Sequence, residues 1–114
     1  MSQYFRAFHP GGTYFFTVVT HGRQPLLTDA TVVERLRLAF RRVMAQRPFV
    51  IDAMVVLPDH LHCLWRLPPD DIDFPERWRK IKRFVSIGVE MAKNRRGENA
   101  LWQRRYWEHL IRDD

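Results

Sequence analysis

Residues 49–67 read FVIDAMVVLPDHLHCLWRL, and their interpretation decides the fold. Phe49 to Leu57 is a run of apolar and β-branched residues, the composition of a strand. Pro58 and Asp59 break it. His60 to Leu67 then reads as another strand. So short a connection makes an antiparallel hairpin the natural arrangement. Successive residues of a strand point to opposite faces. His60, His62, Leu64 and Arg66 therefore share one face. Leu61, Cys63, Trp65 and Leu67 take the other, facing the core.

The flanking segments complete the pattern. Thr13 to Thr20, TYFFTVVT, has the aromatic and β-branched content of a strand, and HGRQP at 21–25 is a loop. A helix starts near Thr28 or Asp29, either of which can cap it. Val32, Val33, Leu36, Phe40, Val43 and Met44 recur at helical spacing, and Pro48 ends the run. After the hairpin, PPDD at 68–71 is a loop. A second helix is capped by Asp73, with Pro75 in its first turn. Phe74, Trp78, Ile81, Val85 and Met91 form its buried stripe, and NRRGEN at 94–99 ends it. Leu101 to Ile111 holds the last element, read as a strand. The order is βαββαβ. That predicts an α+β, ferredoxin-like fold: an antiparallel sheet with two helices on one face and the other face open. Such folds host many functions, so function has to be argued from a site.

With 114 residues the chain reads as a single domain, 1–114, large enough for its own core. The one cysteine, Cys63, excludes an internal disulfide and a four-cysteine zinc site, and suits a reducing, cytoplasmic setting. No apolar run approaches a membrane span, and no membrane association is expected. The net charge of +6 suggests a polyanionic partner.

Two imidazoles one pleat apart can hold a cation from the same side and leave positions open for a phosphate oxygen. His-x-His also arises by chance in many sequences, and only its place behind a hydrophobic strand and a proline break gives it weight. Arg77, Lys80 and Arg83 are spaced by three along a helix face, flanked by Arg79 and Lys82. Such a row can track a phosphate backbone, although most charge runs are solvated faces. Arg95 and Arg96, and Arg104 and Arg105 beside Trp102 and Trp107, are further candidates for nucleic-acid contact.

Several blocks in this order resemble one family. MVVLPDHLH at 54–62 resembles the His-hydrophobic-His motif of the HUH transposases, with Leu57 and Asp59 where Met and Asn are more usual. YFFTVVTHGRQPLL at 14–27, KIKRFVS at 80–86 and LWQRRYWEHLIR at 101–112 resemble blocks of the REP-associated tyrosine branch. The resemblance implies a domain that cuts and rejoins single-stranded or hairpin DNA. It also implies Mg²⁺ or Mn²⁺ on His60 and His62, and a tyrosine nucleophile that leaves a 5′-phosphotyrosine link. The family tyrosine lies on a further helix beyond the block that ends here, and a third metal ligand commonly comes from the same helix. The chain is accordingly expected to lack both. Of Tyr4, Tyr14 and Tyr106, Tyr106 is the substitute by neighbourhood, although its place in the block is that of a structural aromatic. Apolar surface left bare by the missing helix would allow two chains to pair as a homodimer.

Two alternatives stand beside this reading. One is a DNA-hairpin-binding module that cuts nothing. The other is an RNA-binding ferredoxin-like domain, which would carry paired aromatics on the open face. The third strand instead places His60, His62, Leu64 and Arg66 there.

Overall fold

The computed structural model describes residues 9–89 and 101–111. Its elements are β1 (Thr13–Val19), α1 (Ala30–Gln46), β2 (Val50–Leu57), β3 (His60–Arg66), α2 (Phe74–Ile87) and β4 (Trp107–Ile111). The sheet order is β2-β3-β1-β4, and every pairing is antiparallel. This is the expected ferredoxin-like arrangement, with the histidine-bearing β3 at the centre.

Asp29 is the residue that caps α1: its carboxylate accepts from the backbone N–H groups of Thr31 and Val32. Asp73 caps α2 through the N–H of Glu76, and Pro75 stands in the first turn. Both helices bury their apolar stripes against one face of the sheet. Val32, Leu36, Phe40 and Val43 come from α1, and Phe74, Trp78, Ile81 and Val85 from α2. Trp78 stacks on Trp65 of β3 with ring centroids 4.5 Å apart, and Phe16, Phe40 and Phe49 pack around the pair.

Two boundaries differ from the sequence expectation. Helix α2 stops at Ile87, short of Met91, which lies outside the described residues. Gly88 follows, and a Cβ there would fall 2.1 Å from Arg35 Nε. Arg35 of α1 crosses that point and donates to the Phe84 carbonyl in the last turn of α2, 2.8 Å away. The last strand is also shorter than Leu101–Ile111. Trp102 bridges to Thr20 and Trp107 pairs with Thr17, so the later segment spends two extra residues over the same stretch of β1. The excess forms a bulge. Lys82 of α2 holds it, donating to the carbonyls of Gln103 and Arg104 at 2.9 and 3.4 Å.

Arg77 corrects the reading of the basic row. It is buried, at 1% exposure, and faces the ends of the loops rather than solvent. Its guanidinium meets Asp71 at 2.8 and 3.1 Å and donates to the carbonyls of Arg47, Pro48 and Asp73. A buried arginine survives only with such partners. Arg77 thus ties the α1–β2 connection to the β3–α2 connection and offers nothing to DNA.

The Arg77 hydrogen bonds hold the Asp71 carboxyl down at about 2. A carboxylate depressed in the folded state adds stability above its unfolded value, near 4, and that stability is lost as pH falls toward 2. Urea unfolding should therefore show the fold weakening between about pH 4 and pH 2, with a smaller slope in Asp71→Asn. At neutral pH, Asp71→Asn should cost about 3–5 kcal/mol, because it leaves a buried guanidinium without its counter-charge.

Candidate metal centre and nucleic-acid face

β3 presents its residues as its pleat requires. Leu61, Cys63 and Trp65 are buried under the helices, and His60 and His62 stand partly exposed on the uncovered face. Their ring centroids lie 4.8 Å apart and the planes cross at 79°.

Each ring is held by its inner nitrogen. His60 Nδ1 is 2.7 Å from Asp59 Oδ1. That hydrogen bond, helped by the charge of Arg23, keeps Asp59 below the usual carboxylate range, so it is ionised at neutral pH and can only accept. Nδ1 of His60 is therefore the donor in this pair, which in the neutral imidazole leaves the lone pair on Nε2. His62 Nδ1 is 2.9 Å from the Thr17 hydroxyl on β1, which can accept in the same sense. Fixing the tautomer from behind is what readies an imidazole to bind a metal.

The loop after β1 supports this arrangement. Arg23 donates to Asp59 Oδ2 at 3.0 Å while adopting a left-handed backbone, φ 53°. The Thr20 N–H donates to the Asp59 carbonyl, and the Leu27 N–H to that of Pro58. The β2–β3 turn is thus clamped by residues about thirty to forty positions upstream (Thr20 to Leu27), a contact with no local signature in the sequence. Thr17 and Arg23 are the supporting residues that sequence reasoning missed, and Asp59 stood there as a strand break and a departure from a motif, not as a partner of His60. Register alone could have exposed Thr17, since it pairs with His62.

Two imidazoles fit a divalent cation, and nitrogen donors suit Mn²⁺ better than Mg²⁺, which prefers oxygen. Among the described residues no group of three or more His, Cys, Asp or Glu side chains could hold a metal. Two protein ligands are what these residues provide. His109 shares the open face but pairs with Phe15, away from the histidines. Glu108 lies on the helix side, where burial raises its carboxyl above the ordinary value.

Tyr106 is not at this site. It packs against Phe16 and Trp78, and Lys82 Nζ lies 5.5 Å from its ring, on the helix side of the sheet. Its hydroxyl is shielded from solvent. Tyr14 is buried there too, its hydroxyl bonded to His9. The sheet itself separates both from His60 and His62, which rules out Tyr106 as the attacking residue in this fold. Tyr4, Arg95 and Arg96 lie outside the described residues.

The proposed DNA contacts also divide. Lys80 and Arg83 line a groove of about 240 Å³ between the helices, with Arg42, Gln46 and Phe84, on the side away from the histidines. Lys82 is spent on the bulge, and desolvation lowers its pKa. Arg104 and Arg105 are exposed in the bulge beside the end of β1, close to the His60 end of the sheet.

Fold and site define a class: a ferredoxin-like α+β domain with a His-hydrophobic-His pair on its uncovered sheet face. A family model described as "Transposase IS200 like" matches residues 10–112. The chain is 46% identical over 114 residues to the REP-associated tyrosine transposase of Escherichia coli K12, covering 99% of this chain and 64% of that protein. A Haemophilus influenzae relative assigned the same family name is 39% identical over 122 residues, covering 100% of this chain and 68% of its own length. A solved REP-associated tyrosine transposase bound to a REP hairpin superposes with a TM-score of 0.82 at 44% identity, over 100% of this chain and 64% of that one. A Deinococcus radiodurans crystal structure assigned to the transposases shares the fold, with a TM-score of 0.71 at 20% identity over 97% of this chain and 87% of that one. The chain belongs to the IS200-like transposase family, in its REP-associated tyrosine branch, and spans just under two thirds of the E. coli relative.

Burial pushes the Cys63 thiol up to about 12, and Cys63 points into the core from the same strand that turns the histidines outward. A thiol so protonated is a poor nucleophile. Native protein at pH 8 should resist an aromatic disulfide reagent, with modification following only the unfolding transition in urea. Rapid labelling of folded protein would contradict the assigned facing of β3.

Proposed function

We propose that this chain is the DNA-handling domain of a transposase acting on single-stranded or hairpin DNA. It binds the DNA on the open sheet face and orients one phosphodiester at His60 and His62 for cleavage and rejoining. One observation carries the reading. Both imidazoles are held from behind, by Asp59 and Thr17, which leaves both Nε2 atoms available on the same uncovered face. The resemblance to a relative solved with a REP hairpin supports DNA as the partner.

His60 and His62 would hold Mn²⁺ or Mg²⁺, and a bound divalent ion supplies Lewis-acid polarisation of the phosphate. The residues of this chain position. Asp59 and Thr17 keep the imidazoles in the ligating tautomer, and Arg104 and Arg105 place cations beside the strand. Lys80, Arg83 and Arg42 offer a second basic surface for a duplex stem. In the intact reaction a tyrosine oxygen attacks phosphorus, the P–O3′ bond breaks, the 3′-hydroxyl leaves, and a 5′-phosphotyrosine forms. The nucleophile comes from outside the described residues, since Tyr14 and Tyr106 are both on the wrong face. That placement favours one alternative: a hairpin-binding module that cuts nothing by itself. No helix among the described residues is long and apolar enough to cross a membrane, and a DNA partner implies a cytoplasmic setting.

The deciding experiment incubates the chain with a labelled hairpin bearing single-stranded flanks and Mn²⁺, followed by a denaturing gel. Salt-sensitive binding without a covalent adduct is the expected result, and an adduct that survives in Tyr106→Phe would assign the attack to Tyr4, since Tyr14 is buried on the helix side. An absence of hairpin binding at any salt concentration would sink the proposal. Calorimetry should find Mn²⁺ binding abolished when His60→Ala and His62→Ala are combined, and weakened roughly 10–100-fold in Thr17→Val. Removing Arg104 and Arg105 together should flatten the plot of log affinity against log salt by about 2.

A further inference from the structure

Six of the nine large apolar side chains exposed among the described residues stand on one surface. Phe15, Val50, Val55, Leu57, Trp107 and Ile111 all share the face of His60 and His62, as their strand pairings require. Four are aliphatic, and two of these, Val55 and Leu57, pair with His62 and His60. Two are aromatic, Phe15 on β1 and Trp107 on the edge strand β4. The ring of Phe15 stacks on His62, with centroids 5.4 Å apart and planes within 18°. Trp107 pairs with Thr17, and Thr17 pairs with His62, so Trp107 stands two strands from the imidazole, roughly 10 Å away.

These two rings are not surplus to a crowded core. Tyr14, Phe16, Trp65, Trp78 and Tyr106 all pack on the helix side, and β1 and β4 alternate strictly between the faces. Trp107 is 58% exposed and Phe15 38%. The cations nearest in sequence to Trp107 are Arg104 and Arg105, both exposed. Arg23 and Arg66 are committed to Asp59 and Asp52. Lys82 fixes the bulge that carries Arg104 and Arg105. Exposed rings on the sheet face, with exposed arginines two and three residues before one of them, match a ligand that carries both flat aromatic groups and anionic groups.

We propose that Phe15 and Trp107 form a stacking platform for unpaired bases of the DNA strand that reaches the His60–His62 pair, with Arg104 and Arg105 taking the adjoining phosphates. This rests on the reading that single-stranded DNA crosses the open face. Every base has a π-face, so the platform reads strandedness rather than sequence, because bases inside a duplex are already stacked on one another. β3 by itself carries no aromatic pair on the open face. Its neighbours β1 and β4 bring the aromatics.

The test uses fluorescence anisotropy with two labelled hairpins, one with single-stranded flanks and one blunt, and 2-aminopurine in the flank as a stacking reporter. For the wild-type chain we expect tighter binding of the flanked hairpin, with 2-aminopurine emission quenched on binding. Trp107→Ala should weaken the flanked hairpin about 5- to 150-fold, relieve the quench and leave the blunt hairpin unchanged. Trp107→Phe should keep most of the affinity. Phe15→Leu, which preserves apolar bulk beside His62, should lose affinity for the flanked hairpin in the same way. Unchanged flank affinity and quench in both Trp107→Ala and Phe15→Leu would overturn the platform while hairpin binding itself stands, and would mean that this face seats protein instead. An equal loss for both hairpins would overturn it too, as a structural effect. Failure of the wild-type chain to bind either hairpin would instead remove the underlying reading.

Discussion

The contact on which the site depends is buried on the other side of the sheet from it. Trp65 stacks on Trp78 at 4.5 Å, among Phe16, Phe40 and Phe49. That cluster fixes which face of β3 is inside. Side chains on a strand repeat every two residues, so a slip by one would carry the histidines into the core and Trp65 into solvent. The hydrophobic burial of two indoles makes the slip prohibitive. The position of His60 and His62 is thus set by residues that never touch them.

Local hydrogen bonds then refine what packing placed. Thr17 is in register with His62 because β1 lies beside β3, and its hydroxyl reaches the inner nitrogen. Asp59 sits in the turn itself and is braced by Arg23 and the backbone of Thr20. The support comes from β1 and the loop after it, which places the orientation of both rings under the control of residues 17–27. Arg77 acts comparably at the opposite end of the sheet. Its guanidinium gathers carbonyls from one connection and a carboxylate from the other, so the two helices meet the sheet at fixed positions.

Charge is distributed over two surfaces rather than one. The helix layer carries Arg42, Lys80 and Arg83 around a groove, and the segment leading into β4 carries exposed Arg104 and Arg105 just before Trp107 on the sheet face. A duplex presents phosphates and already-stacked bases, and a single strand presents both phosphates and open π-faces. The two surfaces differ in the way those two forms of DNA differ. A hairpin with single-stranded flanks contains both.

The sequence by itself determined the order of elements, the antiparallel hairpin at Pro58 and Asp59, the cap of the second helix, the first helix's cap to within Thr28 or Asp29, and the facing of the histidines. Each of these follows from short-range rules: strand alternation, proline and aspartate at breaks, and carboxylates at helix starts. Tertiary structure decided what the charged and aromatic side chains do. Spacing by three made Arg77, Lys80 and Arg83 look equivalent, but a helix face is exposed or buried according to what packs on it, and the loops from Arg47 and Asp71 close over Arg77 alone. Tyr106 was the candidate nucleophile by its neighbourhood in sequence, yet it precedes β4 and packs on Phe16 and Trp78 on the helix side, while Trp107 takes the opposite face. Thr17 and His62 are 45 residues apart, and only the β1–β3 register brings them to hydrogen-bonding distance.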